Sequence, residues 1–133
     1  FCNVAEAQKI LKTEEKNISN LLLKIKELGP EIVVITDGKK GAYMHYEKEN
    51  FFMPPYPDQS PPYERTGAGD AFSSTFIGAL ALGKTPFEAI TWGPINSMSV
   101  VQYVGAQEGL LTKKKVEEHL KTAPENYKTE ILI

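Results

Sequence analysis

The run Ile32-Val33-Val34-Ile35 is short, unbroken, apolar and rich in β-branched side chains, and it limits the possible folds more than any other stretch. A strand of this kind offers no polar face to water. It must be covered on both sides, which is the usual condition of a parallel sheet between helices. Helical periodicity precedes it, with Ala7, Ile10 and Leu11 following Asn3, and Ile18, Leu21, Leu22, Ile25 and Leu28 following Asn17. Asn17 is placed to cap the second helix, which is expected to stop at Gly29-Pro30. The expected class is α/β, a mainly parallel sheet flanked by helices.

Beyond the turn Asp37-Gly38-Lys39-Lys40-Gly41, residues 42–46 and 50–53 read as a hairpin around Glu47-Lys48-Glu49. Pro54, Pro55, Pro57, Pro61 and Pro62 then exclude regular structure. A helix is predicted from Ala68, with Phe72, Phe76, Ala79 and Leu80 on one stripe and Gly83 as its stop. Thr85-Pro86-Phe87-Glu88 opens another through a capping box, and Pro94 is expected to bend or break it. A charged helix is predicted over 112–121, before a tail that turns apolar at Ile131-Leu132-Ile133.

At 133 residues the default is one domain. With a formal net charge of -2 there is no basic footprint for nucleic acid, and no apolar run reaches the roughly 18 residues of a membrane span. Neither nucleic acid nor membrane is therefore an expected partner. Cys2 is the single cysteine, which excludes an intrachain disulfide and fits a cytoplasmic protein. The opening Phe1-Cys2-Asn3-Val4 lacks an initiator Met and a signal-peptide pattern, so the chain reads as cut from something longer.

The chemistry is concentrated in Thr66-Gly67-Ala68-Gly69-Asp70-Ala71-Phe72, where small residues precede an acid at the start of an amphipathic helix. Free amides at a helix N-terminus form an anion site, and glycine lets a phosphate approach the backbone. Asp70, one turn inside, is placed to take the proton of an attacking hydroxyl. A tight turn followed by an acid that merely favours the helix dipole would give the same letters.

This stretch resembles the second signature of the ribokinase-like (PfkB) carbohydrate kinases, approximately Asp-Thr-x-Gly-Ala-Gly-Asp-Ala-Phe. Three further elements of that family are matched in order: Thr36-Asp37-Gly38-Lys39-Lys40-Gly41 for its nucleotide loop, Asn3-Val4-Ala5-Glu6 for its Asn-x-x-Glu element, and Gly105-Ala106 for a later loop. The resemblance implies a partial three-layer ribokinase-like fold, with residues 1–133 as the C-terminal nucleotide-binding part and the N-terminal substrate and lid half absent. It implies ATP and Mg2+ as cofactors and a sugar, nucleoside or related hydroxyl compound as substrate. It further implies Asp70 as catalytic base, the amides of Gly67, Ala68 and Gly69 as anion hole, and Asn3, Thr36, Gly38, Gly41 and Thr66 toward ATP. Glu6 would face the metal through water. A homodimer is compatible with it, and the fragment alone is expected to be inactive.

The match is not complete. Glu64 and Arg65 stand where the family usually has Asp and a small polar residue, which puts a K+ requirement in doubt. Thr75 replaces a common glycine, and Pro94 falls at a polar position near adenine with Asn96 two residues later, so adenine contacts are unassigned. His45 and His119 belong to no Cys or His cluster, and Lys113-Lys114-Lys115 reads as a solvated face. A noncatalytic nucleotide-binding or regulatory module remains an alternative, as does a kinase of hydroxymethyl groups on vitamin precursors. A P-loop ATPase is excluded, because no Gly-x-x-x-x-Gly-Lys-Ser/Thr occurs.

Overall fold

A computed structural model describes residues 1–133, which divide into two compact units, 1–54 with 129–133, and 55–128.

The first unit is a five-stranded mixed sheet with two helices. Its elements are β1 (Cys2–Asn3), α1 (Val4–Leu11), α2 (Ile18–Lys26), β2 (Ile32–Thr36), β3 (Ala42–Tyr46), β4 (Glu49–Met53) and β5 (Glu130–Ile131), the strands lying in that order across the sheet. Only β1 and β2 pair in parallel; the other three ladders are antiparallel. The α/β class holds, but the expected mainly parallel sheet is corrected to a mixed one. Residues 37–41 are too few for a crossover, which takes a dozen or more, so β3 must run back along β2. The apolar run is buried as its composition predicts, with Val33, Val34 and Ile35 all in the core. Val33 and Ile35 pack with Ala7, Leu21, Leu22 and Ile25 from the two helices.

Helix α2 is capped by Asn17, whose side chain accepts from the Asn20 amide. It ends at Lys26, earlier than Gly29-Pro30, and leaves Leu28 exposed. In the hairpin Tyr46 pairs with Glu49, so Glu49 joins the strand and the turn is Glu47-Lys48, with Glu47 at φ 57°.

The second unit contains α3 (Ala68–Ala81), α4 (Pro86–Val100) and α5 (Lys113–Lys121). A Cβ on Gly93 would fall 2.8 Å from the Phe72 ring, so the missing side chain lets α4 close onto α3. The Asn96 amide lies in this contact, donating to Thr75 Oγ1 at 2.8 Å and accepting from the Leu111 amide at 2.9 Å. Thr85 and Glu88 form the capping box of α4, but Pro94 does not end the helix, which continues to Val100. Pro94 lies on a fully packed side of α4, where residues 92–96 are all buried, and packing there outweighs the loss of one helical hydrogen bond. No helix is long and apolar enough to cross a membrane.

Tyr127 closes this unit beneath α4, donating its hydroxyl to the Thr91 carbonyl at 2.5 Å and meeting the Tyr56 ring edge-on at 4.9 Å. Burial first, and Tyr56 second, push its pKa far above the ordinary 10.0. The folded phenol therefore stays neutral while the unfolded one ionises. Its contribution to stability is full below about pH 10 and is lost as pH rises toward the raised folded value. Tyr127→Phe is expected to cost about 0.5–1.5 kcal/mol at neutral pH. It should also flatten the alkaline fall in thermal midpoint, and an unchanged alkaline slope would contradict this assignment.

Candidate active site

Glycine at position 67 sets the entry to α3. Its φ of 83° is left-handed, and a Cβ there would stand 2.8 Å from both Cα and Cβ of Ala106. The motif thus needs glycine here for both backbone and space. From this corner the chain enters α3 directly at Ala68, and Asp70 falls in the first turn.

The first turn leaves donors open. The Ala68 amide bonds to the Arg65 carbonyl at 3.3 Å and the Ala71 amide to the Gly67 carbonyl at 2.8 Å, whereas the amides of Gly67, Gly69 and Asp70 meet no acceptor. Of the three amides expected to form an anion hole, those of Gly67 and Gly69 are open and that of Ala68 is taken by the Arg65 carbonyl, while the Asp70 amide adds an open donor not expected from the sequence. The Asp70 carboxylate is exposed and holds no ion pair or hydrogen bond, and Thr66 is exposed as well. An acid free of partners next to unpaired amides can accept a proton while those amides hold an anion.

Two supports of this turn were not read from sequence. Ser97, on α4, donates to the Ala68 carbonyl at 2.7 Å, and the Glu64 carboxylate accepts from the Gly105 amide at 2.6 Å. A serine in mid-helix carries no local signal of such a role, while Glu64 had shown itself only as a departure from a motif. Asn96 is engaged by Thr75 and Leu111, and both it and Pro94 are buried.

The remaining candidates lie in the first unit. Asn3 and Thr36 are opposite one another in the parallel β1–β2 ladder. The Asn3–Glu6 element and the Thr36–Gly41 turn therefore leave the same end of two parallel strands, where α/β sheets place ligands. Asn3 and Glu6 form a reciprocal capping box, Asn3 Oδ1 accepting from the Glu6 amide at 2.9 Å and Glu6 Oε2 from the Asn3 amide at 2.8 Å. The second Glu6 oxygen is left for other contacts. No group of three or more His, Cys, Asp or Glu side chains is poised to hold a metal. One exposed carboxylate fits Mg2+, which keeps most of its waters and takes one or two protein carboxylates alongside phosphate oxygens.

Gly38 and Gly41 differ in what they require. Gly38 has φ 55° and open space where a Cβ would stand. Gly41 has φ 110°, and a Cβ would meet the Met53 carbonyl oxygen at 2.5 Å and the Phe52 ring at 2.9 Å. Gly38→Ala is expected to cost about 1–2 kcal/mol, from handedness alone. Gly41→Ala adds overpacking to strain and should cost roughly 2–4 kcal/mol. Denaturant midpoints on both variants check this ordering, and equal losses would refute it.

His45 is buried with Nδ1 2.7 Å from Asn50 Oδ1, and Lys113 and Lys115 pair on the surface with Glu117 and Glu118.

Comparison with known proteins gives the same direction. Residues 1–113 match the family model described as pfkB family carbohydrate kinase. The chain is 37% identical over 94 residues to ribokinase of Bacillus subtilis (strain 168), covering 70% of this chain and 31% of that protein. It is 36% identical over 87 residues to the ATP-dependent 6-phosphofructokinase of Thermoanaerobacterium thermosaccharolyticum, covering 65% and 26%. Among solved structures, Arabidopsis thaliana ribokinase complexed with ribose and ATP matches with a TM-score of 0.80 at 27% identity, over 90% of this chain and 39% of that one. The chain thus spans 31% or less of these two curated relatives. With four motifs in order, a ribokinase-like α/β fold and a family match over residues 1–113, the chain belongs to the pfkB family of carbohydrate kinases.

Proposed function

We propose that the complete protein transfers the γ-phosphoryl group of ATP to a hydroxyl of a sugar, nucleoside or related small molecule. The observation that carries this reading is the unpartnered Asp70 carboxylate beside the open amides of Gly67, Gly69 and Asp70. Asp70 takes the proton as the acceptor oxygen bonds to phosphorus and the bond to the ADP oxygen breaks. The open amides hold the negative charge of the transferring group, which is the main requirement of phosphoryl transfer. Asn3, Thr36, Gly38, Gly41 and Thr66 act toward ATP, and Glu6 would hold Mg2+ through water. When bound, the ion would neutralise phosphate charge and orient the nucleotide.

Incubating the complete protein with ATP and Mg2+ against a panel of sugars and nucleosides tests the proposal. ADP formation that depends on one acceptor is expected. ATP binding with no turnover on any acceptor would instead favour a noncatalytic nucleotide-binding module.

A further inference from the structure

We infer that Glu64 is a positioning residue for this reaction, fastening the loop 102–109 to the glycine loop so that the free amides of Gly67 and Gly69 are held in place. The inference rests on the phosphoryl-transfer reading above and extends it to a residue outside the motif's reacting groups. The Glu64 backbone is docked to the end of α4, where the Val101 carbonyl accepts from the Tyr63 amide at 2.8 Å and the Glu64 amide at 3.2 Å. From that anchor the half-buried side chain reaches across 41 positions of sequence to the Gly105 amide at 2.6 Å. It is the side-chain hydrogen bond that joins these two loops, and an ionised acceptor makes it about twice as strong as a neutral pair.

The fastening matters because both loops turn on left-handed glycines, Gly67 at φ 83° and Gly105 at φ 89°, which have other conformations open to them. They also touch: the Cβ position of Gly67 is filled by Ala106, the residue after Gly105. Holding Gly105 therefore fixes the wall against which Gly67 rests. Gly67 in turn sets the direction of the first α3 amides.

The test uses Glu64→Ala, Glu64→Asp and Glu64→Gln in the complete protein, with two readouts. Amide exchange at Gly105, measured by NMR without nucleotide, should quicken by about 10- to 100-fold in Glu64→Ala, the loss expected for one charge-assisted hydrogen bond. Turnover should fall on the order of 10- to 100-fold, because small misplacements of a catalytic constellation are costly. KM for the acceptor should stay within about threefold, as expected when an interaction matters mainly in the transition state. Glu64→Asp keeps the charge but is shorter by one bond of ~1.5 Å, and should fall between Glu64→Ala and the unmodified protein in both readouts. Glu64→Gln keeps the reach and a neutral acceptor, and should restore part of both readouts.

Unchanged Gly105 exchange in Glu64→Ala would overturn the fastening. Faster exchange with turnover within about twofold of the unmodified protein would overturn its role in the reaction. The exchange readout needs no turnover, so failure of the kinase reading shows separately, as an unmodified protein that phosphorylates no acceptor while Gly105 still responds to Glu64.

Discussion

Asp70→Asn in the complete protein is expected to lower turnover by about 10²- to 10⁴-fold with ATP affinity nearly unchanged. The substitution keeps the size of the side chain and removes its capacity to take a proton. That loss corresponds to roughly 2.7–5.5 kcal/mol of barrier. The open amides of Gly67 and Gly69 belong to the backbone and survive the change, so phosphate binding should survive with them. If Asp70 serves only the helix dipole, the result is different: at most about 1 kcal/mol of stability is lost and turnover is ordinary. Turnover, ATP affinity and thermal midpoint on the same preparations separate the two cases. Near-normal turnover would remove Asp70 from the reaction.

A larger effect is expected from the isolated chain 1–133. It should show no acceptor-dependent ATP consumption above background, even where the complete protein is active. Holding the acceptor in line is worth up to about 10⁵–10⁸ M in effective concentration. The match covers 31% of the Bacillus subtilis ribokinase and 39% of the Arabidopsis thaliana one, so most of the length of those proteins has no counterpart in this chain. ADP release from the purified chain, with and without sugars and nucleosides, decides the matter. Substantial sugar-dependent release would contradict it and would place acceptor binding within these residues.

What could be read in the sequence follows from how local each signal is. Thr85-Pro86-Phe87-Glu88 states its cap within one turn, and Ala68 to Ala81 begins and ends at glycines, so both helices were legible. The hairpin was legible as well, though its turn proved to be Glu47-Lys48, because a φ of 57° at Glu47 has no marker when glycine is absent. Strands β1 and β5 are two residues each and exist only through their partners, which no local pattern reveals. For the same reason the run of residues 32–35 announced burial on both faces without announcing the direction of its neighbours. The glycine motif supplied Asp70 and two of the open amides. The Glu64–Gly105 and Ser97–Ala68 bonds, spanning 41 and 29 positions, were beyond any window of sequence.

The capping box at Asn3 and Glu6 bears on how a metal role for Glu6 can be established. Its carboxylate already closes the first turn of an eight-residue helix, so truncating it disturbs local folding and ion chemistry together. A loss of Mg2+ response in Glu6→Ala is therefore confounded. Glutamine can serve the same reciprocal cap while lacking the charge, which makes Glu6→Gln the proper control. An effect shared by both variants belongs to the charge, and one confined to Glu6→Ala belongs to the start of α1.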